Sequence, residues 1–153
     1  MNFNYQKELV RIWENAVKLY RNGNTSADTF PIQHDLPFLN KIGLNKMDIF
    51  DYVEDWVCEG TPDLGTFLLI HDLRRDFFIE EQKGIHSLEK LDSKALPGKT
   101  EELNGITWLP RVIGKATAKL RGELPFDTMF CCGGDRAFFG TNDIHPAEFL
   151  RIV

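Results

Sequence analysis

The hexad Cys131-Cys132-Gly133-Gly134-Asp135-Arg136 sets two thiols, a carboxylate and a guanidinium around two glycines. Glycines let the backbone approach a bound group closely, and successive N–H groups entering a helical turn form a concavity suited to an anion. A guanidinium beside a thiol favours the thiolate, the form that acts as a nucleophile or metal ligand. Cys131, Cys132 and Asp135 are therefore candidate catalytic residues, and Gly133, Gly134 and Arg136 candidate ligand-binding ones. The structural alternative takes the thiols as small buried hydrophobes, Gly-Gly as a turn, and Asp135 with Arg136 as a cap and an ion pair.

Two further groups could join that hexad. His71-Asp72-Leu73-Arg74-Arg75-Asp76 interrupts an apolar stretch, and charges in such a setting are rarely left unpaired. Arg74 and Arg75 are candidate ligand-binding residues, with His71 as a catalytic proton carrier; a structural ion-pair network is equally consistent. Arg111, Lys115 and Lys119 recur every four residues, and with Arg121 they give the acid-free segment Leu109 to Gly122 a charge of +4. Arg111 and Lys115 are candidates for holding a phosphate or carboxylate. The acidic residues Asp48, Asp51, Asp55 and Glu59 are either the internal counterpart of this stripe or a solvated face.

Other chemistries lack a sequence basis. His34, His71, His86 and His145 are scattered, without His-x3-His or Cys-x2-Cys spacing, and only Asp143-x-His145 is a local cluster, so no metal ligand is assigned. No Gly-x-Gly-x-x-Gly, Walker or Gly-x-Ser-x-Gly element occurs, and no cofactor is indicated.

Positioning these groups falls mainly to helices. Leu9, Ile12, Trp13, Ala16, Val17 and Tyr20 predict a helix in the first 23 residues, stopped by Gly23. A loop with a short helical piece near Leu36 to Ile42 precedes a second long helix from about Asn45 to Glu59. Its inner face is Ile49, Phe50, Val53, Trp56 and Val57, with the acids as an outer stripe. Thr61-Pro62-Asp63 reads as cap, first turn and acid for a third helix to about Gln82, apolar nearly all round from Leu64 to Ile70 and thus central. Ile85 to Thr107 reads as a long irregular segment wrapping across the helices. A fourth helix runs from Pro110 to Arg121 with Val112, Ile113, Ala116 and Leu120 inward. A short extended piece is expected at Thr128 to Phe130, and a last helix from Pro146 to Val153. The fold class is mainly α, a single multi-helix domain over residues 1–153.

Composition narrows the partners. With 42% hydrophobic and 27% charged residues, the chain falls outside the disordered and fibrous classes. A net charge of −5 counts against nucleic acid as a partner, since such affinity rests on neutralising phosphates. The run Phe67 to Ile70 is far too short to span a membrane. Three cysteines do not make a disulfide framework, and neighbours about 3.8 Å apart at Cα sit below the usual disulfide span. Met1 to Val10 carries no apolar signal core, so a cytoplasmic setting is expected.

The segment from Gly105 through Leu109-Pro110-Arg111-Val112-Ile113, Lys115-Ala116, Ala118 and Leu120 resembles the signature of a bacterial family, domain of unknown function 5069. The resemblance continues through Asp135-Arg136-x-Phe138 to the Pro146-Ala-Glu-Phe-Leu helix, covering residues 105–153. Gly114 stands where that family often has an acid, so no role of that acid carries over. Family members continue past the last helix, and a further helix beyond Val153 is what the resemblance implies. It implies a fold and no activity.

These readings converge on a cytoplasmic helical protein that binds a small anionic ligand. Its pocket is expected between the third helix (His71, Arg74, Arg75), the fourth (Arg111, Lys115) and the Cys131–Arg136 turn. The rival is a non-enzymatic interaction module, a homo-oligomer among its forms, with the acidic and basic stripes as docking faces.

Overall fold

The computed structural model describes residues 3–153. α1 (Tyr5–Arg21) buries Leu9, Ile12, Trp13, Ala16 and Val17, the three- and four-residue stripe that the sequence predicts. A 3₁₀ turn at Gln33–Asp35 leads into α2 (Leu36–Lys41). α3 (Lys46–Glu59) starts on a reciprocal cap: the Asn45 side chain accepts from the Met47 and Asp48 amides, and the Asp48 carboxylate accepts from Asn45 N–H. Its inner face is Ile49, Phe50, Tyr52 and Val53; Trp56 and Val57, expected there, are only half-buried.

α4 (Leu64–Glu80) begins two residues later than expected, because Asp63 rather than Thr61 is the cap and accepts from the Thr66 amide. Pro62 lies in the preceding turn, after a cis bond. The helix packs against α1, α5 (Leu109–Arg121) and α7 (Pro146–Ile152), which makes it the central element. Phe67 and Ile70 are fully buried, but Leu69 is 43% exposed, so one face of the apolar run meets water. The Trp13 and Phe67 rings lie 4.5 Å apart and join α1 to α4.

The expected extended piece at Thr128 to Phe130 is not a strand; those residues form irregular chain running into a turn. The extended structure is instead a hairpin, β1 (Glu102–Leu103) against β2 (Ile106–Thr107), inside the segment read as irregular. Its two-residue turn is Asn104-Gly105, at φ 51° and 78°, which is the signature of a tight hairpin. The hexad opens a helix of nine residues, α6 (Gly133–Thr141), and Phe139 packs on Phe149 to tie it to α7. The regular structure of the described residues is thus seven α-helices, two 3₁₀ turns, at Gln33–Asp35 and Ser93–Ala95, and this one hairpin. None of the helices is long and apolar enough to cross a membrane.

The acidic residues of α3 do not form an outer stripe. Asp48 faces α5, while Asp55 and Glu59 face the start of α6, and each meets a cation there.

Candidate functional site

Two lysines one turn apart on α5 point inward, each 3% exposed in its side chain. The sequence leaves these lysines either to hold a ligand anion or to pair with the acids of α3; here Lys119 meets Asp48 of α3 and Lys115 meets Asp135 of α6. Lys115 Nζ lies 2.5 Å from Asp135 Oδ2. The same carboxylate accepts from Cys131 N–H at 2.9 Å and, through its other oxygen, from the Trp108 indole at 2.9 Å. The concavity at the α6 turn is therefore filled by the chain's own anion. Gly134 is required for this closure, since a Cβ there would sit 2.5 Å from the Trp108 ring.

Lys119 Nζ lies 2.5 Å from Asp48 Oδ1 and 2.9 Å from His71 Nε2. His71 Nδ1 is 2.7 Å from the Phe67 carbonyl, which can only accept, so Nδ1 carries the proton and Nε2 takes the Lys119 hydrogen bond. Burial first, and then the Lys119 charge, push the imidazole down from 6.5 to about 4. His71 is thus a neutral, fully buried acceptor at pH 7 and not the proton carrier expected. Burial opposes ionisation of Asp48, but the Lys119 ammonium holds it below the usual carboxylate range. Partial burial first, and then the Asp48 charge, push half-buried Asp51 up to about 7. The void left among Asp48, Asp51, Tyr52 and Lys119 measures about 20 Å³, room for a water molecule and no ligand.

The remaining predicted residues are dispersed. Arg74, 2% exposed, donates through Nη1 to Gln82 Oε1 at 2.7 Å and to the Leu120 carbonyl at 2.8 Å. It satisfies the carbonyl-rich C-terminus of α5, where a cation complements the dipole. Gly122 gives it space: a Cβ there would lie 2.5 Å from Arg74 Nη2. Arg75 stacks on Tyr5, 3.9 Å from the ring centroid, and Arg111 donates to the Pro97 carbonyl at 2.9 Å. Arg74, Arg75 and Arg111 therefore serve as separate structural contacts, and the pocket expected between α4, α5 and the hexad is closed by buried ion pairs.

Of the two adjacent thiols, Cys131 is wholly buried at φ 72°, and burial pushes its pKa up to about 12, which removes it as a thiolate nucleophile at neutral pH. Cys132 is half-buried, with Lys115 Nζ 3.2 Å from its sulfur. Cys58 is exposed, and all three thiols are free.

An open pocket of about 460 Å³ lies on the other side of the hexad, between the Thr61-Pro62 turn, α6 and α7. Pro62, Phe139 and Ile144 give it apolar walls; Arg136, Thr66, His145, Asp143 and Glu148 give it polar groups. Arg136 donates through Nη1 to Asp55 at 2.6 Å and to the Cys131 carbonyl at 2.8 Å, and through Nη2 to Glu59 at 2.6 Å. A guanidinium has five N–H groups, so Nε–H and one Nη2–H have no partner among the described residues. His145 Nδ1 accepts from the Ala147 amide, which puts the ring proton on Nε2, 3.3 Å from Thr66 Oγ1.

Of the predicted site, the structure brings Lys115, Cys131, Cys132, Asp135 and Arg136 together, with Arg136 on the open side. Thr66 was missed, and His145 was noted only in the Asp143-x-His145 cluster; the two are 79 residues apart, and nothing local in the sequence pairs them. His145 had a signal, as the residue before Pro146 with Glu148 three positions on, the pattern of a helix start. Among the described residues, no group of three or more His, Cys, Asp or Glu is placed to hold a metal ion. No family model, curated protein or solved structure matches the chain.

Proposed function

We propose that the protein binds a small ligand through a carboxylate or phosphate group, in the open pocket between the Thr61-Pro62 turn, α6 and α7, with Arg136 as the anion-holding residue. The observation that carries this is a guanidinium with two uncommitted N–H groups at a pocket of about 460 Å³, a volume in the range of small-molecule sites. Of the other cations of the predicted site, Lys115 is held by a buried carboxylate, Arg74 and Arg75 are buried, and half-buried Arg111 donates to the Pro97 carbonyl and does not line this pocket.

Arg136 already faces two carboxylates, and an added anion would make the site more negative. The side chain of Glu59 is 56% exposed, against 22% for Asp55. Glu59 is thus the exchangeable partner: a ligand anion takes its place on Nη2, and the charge around the guanidinium is unchanged. Pro62, Phe139 and Ile144 would hold the apolar part of the ligand, and Thr66 and His145 its further polar atoms.

Lys115 and Lys119 are buried against Asp135 and Asp48, so these members of the charged stripes of the rival reading are not free for docking. The setting we infer is cytoplasmic, with three free thiols and neither nucleic acid nor membrane as partner. Membership of the domain-of-unknown-function family 5069, proposed from residues 105–153, adds no activity.

Titration of the ¹⁵N-labelled protein with succinate and with inorganic phosphate tests the reading. Shifts centred on Thr66, Arg136 and His145, lost in Arg136→Met, are the expected result. Shifts centred elsewhere, or none at saturating probe, would overturn it.

A further inference from the structure

The contact between Lys115 and Cys132 is not used by the ligand reading, and it brings an amine and a thiol together with little freedom. Lys115 Nζ lies 3.2 Å from Cys132 Sγ. The lysine is held on its other side by Asp135 at 2.5 Å and is 3% exposed, so the amine has no other place to go. Cys132 is only half-buried, unlike its neighbour, and is the residue preceding α6. Cys131, the neighbouring thiol, is fully buried and too close along the backbone to form an unstrained disulfide.

We propose that Lys115 and Cys132 form an oxidation site at which peroxide joins nitrogen and sulfur through one oxygen atom, a reversible covalent tie between α5 and the start of α6. Two equivalents of hydrogen peroxide balance the reaction. In the first step the Cys132 sulfur attacks peroxide; an S–O bond forms, the O–O bond breaks, and a sulfenic acid and water result. The sulfur loses two electrons and the peroxide gains them. Lys115 passes a proton to Asp135, and the free amine attacks a second peroxide. An N–O bond forms, O–O breaks, and the products are a hydroxylamine and water. The hydroxylamine oxygen then attacks the sulfenic sulfur and displaces its hydroxyl group, which leaves as water with the hydroxylamine proton. Thiol, amine and two peroxides give the N–O–S bridge and three waters; Asp135 returns its proton to solvent.

The tie removes the Lys115 positive charge that faces Asp135, the carboxylate that also holds Cys131 N–H and the Trp108 indole. Oxidation is thereby felt at the turn that carries Arg136. A buried lysine with a carboxylate at hydrogen-bond distance supplies what a sulfenic acid on an isolated surface cysteine lacks, a second nucleophile already in contact.

Treatment of the full chain with hydrogen peroxide, followed by intact mass measurement and tryptic mapping, tests this. The expected product has gained one oxygen and lost two hydrogens, contains residues 115 and 132 in one cross-linked peptide, is uncut after Lys115, and reverts with dithiothreitol. Cys58→Ser leaves the cross-link intact, and Cys132→Ser loses it. Oxygen added to Cys132 while trypsin still cuts after Lys115 would overturn the proposal. So would a loss of two hydrogens without oxygen, the mark of a disulfide, or an unmodified Cys132. The mapping of the unmutated chain decides between these even where a variant folds poorly.

Discussion

The α5 interior and the Arg136 pocket are built from the same materials, basic side chains facing carboxylates, yet they do opposite things. On α5, Lys115 and Lys119 meet Asp135 and Asp48 with side chains almost wholly removed from water. Breaking such a pair leaves an uncompensated buried charge, so the arrangement is locked. At the pocket, Arg136 meets Asp55 and Glu59 where Glu59 is mostly in solvent, and an exposed pair contributes about 0–1 kcal/mol. A cation whose partner is cheaply replaced can take a ligand. The difference is solvent access, not residue type.

Four experiments break or sharpen that contrast, in descending order of effect. Asp135→Ala should destabilise the protein by roughly 3–5 kcal/mol in urea unfolding, because it strands buried Lys115 and orphans Cys131 N–H and the Trp108 indole. Replacing Lys115 by Met and Asp135 by Leu together should cost clearly less than the single change. A small loss for Asp135→Ala alone would mean that water reaches Lys115, and the contrast with the pocket would disappear.

The second concerns pH. His71 is depressed from 6.5 to about 4 in the fold, so the unfolded chain binds its proton first. The stability this contributes, roughly 3 kcal/mol by linkage, is fully present above pH 6.5 and is lost as pH falls through about 4. Asp51 has the opposite sign: raised from 3.8 to about 7, its carboxyl is protonated in the fold before it is in the unfolded chain, and stability falls as pH rises across that window. Unfolding measured from pH 4 to 7 in Asp51→Asn should therefore show a steeper rise than in the parent protein. Adding His71→Gln should flatten it.

Arg74→Lys keeps the charge at the end of α5 but, with a shorter side chain, does not set a nitrogen where Nη1 bonds both Gln82 and Leu120. We expect a loss of about 1–3 kcal/mol in unfolding and unchanged shifts in the succinate titration, because Arg74 is not part of the pocket. The smallest effect is at Glu59. Glu59→Gln should leave stability within about 1 kcal/mol and tighten succinate about 2- to 5-fold, the equivalent of a released exposed ion pair. No change, or weaker binding, would show that Glu59 does not compete for Arg136.

Much of this arrangement was legible before any coordinates. The stripe of α1, the capped start of α3 at Asn45 and the stop at Gly122 follow from apolar period, side-chain oxygen and left-handed glycine, all of them local properties. One of the two alternatives held open for the hexad was a turn with Asp135 and Arg136 as a cap and an ion pair; the turn is present, but Asp135 pairs with Lys115 and Arg136 with Asp55 and Glu59. Asn104-Gly105 was legible too, as hairpin chemistry, but strands of two residues leave no alternation to detect. The extended reading of Thr128 to Phe130 failed for the reverse reason: three suitable side chains say nothing about a strand to pair with.

Which way the charges face was not legible. Asp48 and Lys119 are 71 residues apart, and Arg136 is 81 residues from Asp55. A period of about four on a helix places residues on a common face and is silent on whether that face meets water or another helix. The sequence by itself determined the helices, their ends and the set of cations and acids available to one another. Only the tertiary structure decided that α3 and α6 bring carboxylates onto the lysine face of α5, and that α6 and α7 leave Arg136 beside an open space. Helix formation is settled by neighbours within a few residues, whereas the cost of a buried charge depends on whatever the folded chain places against it.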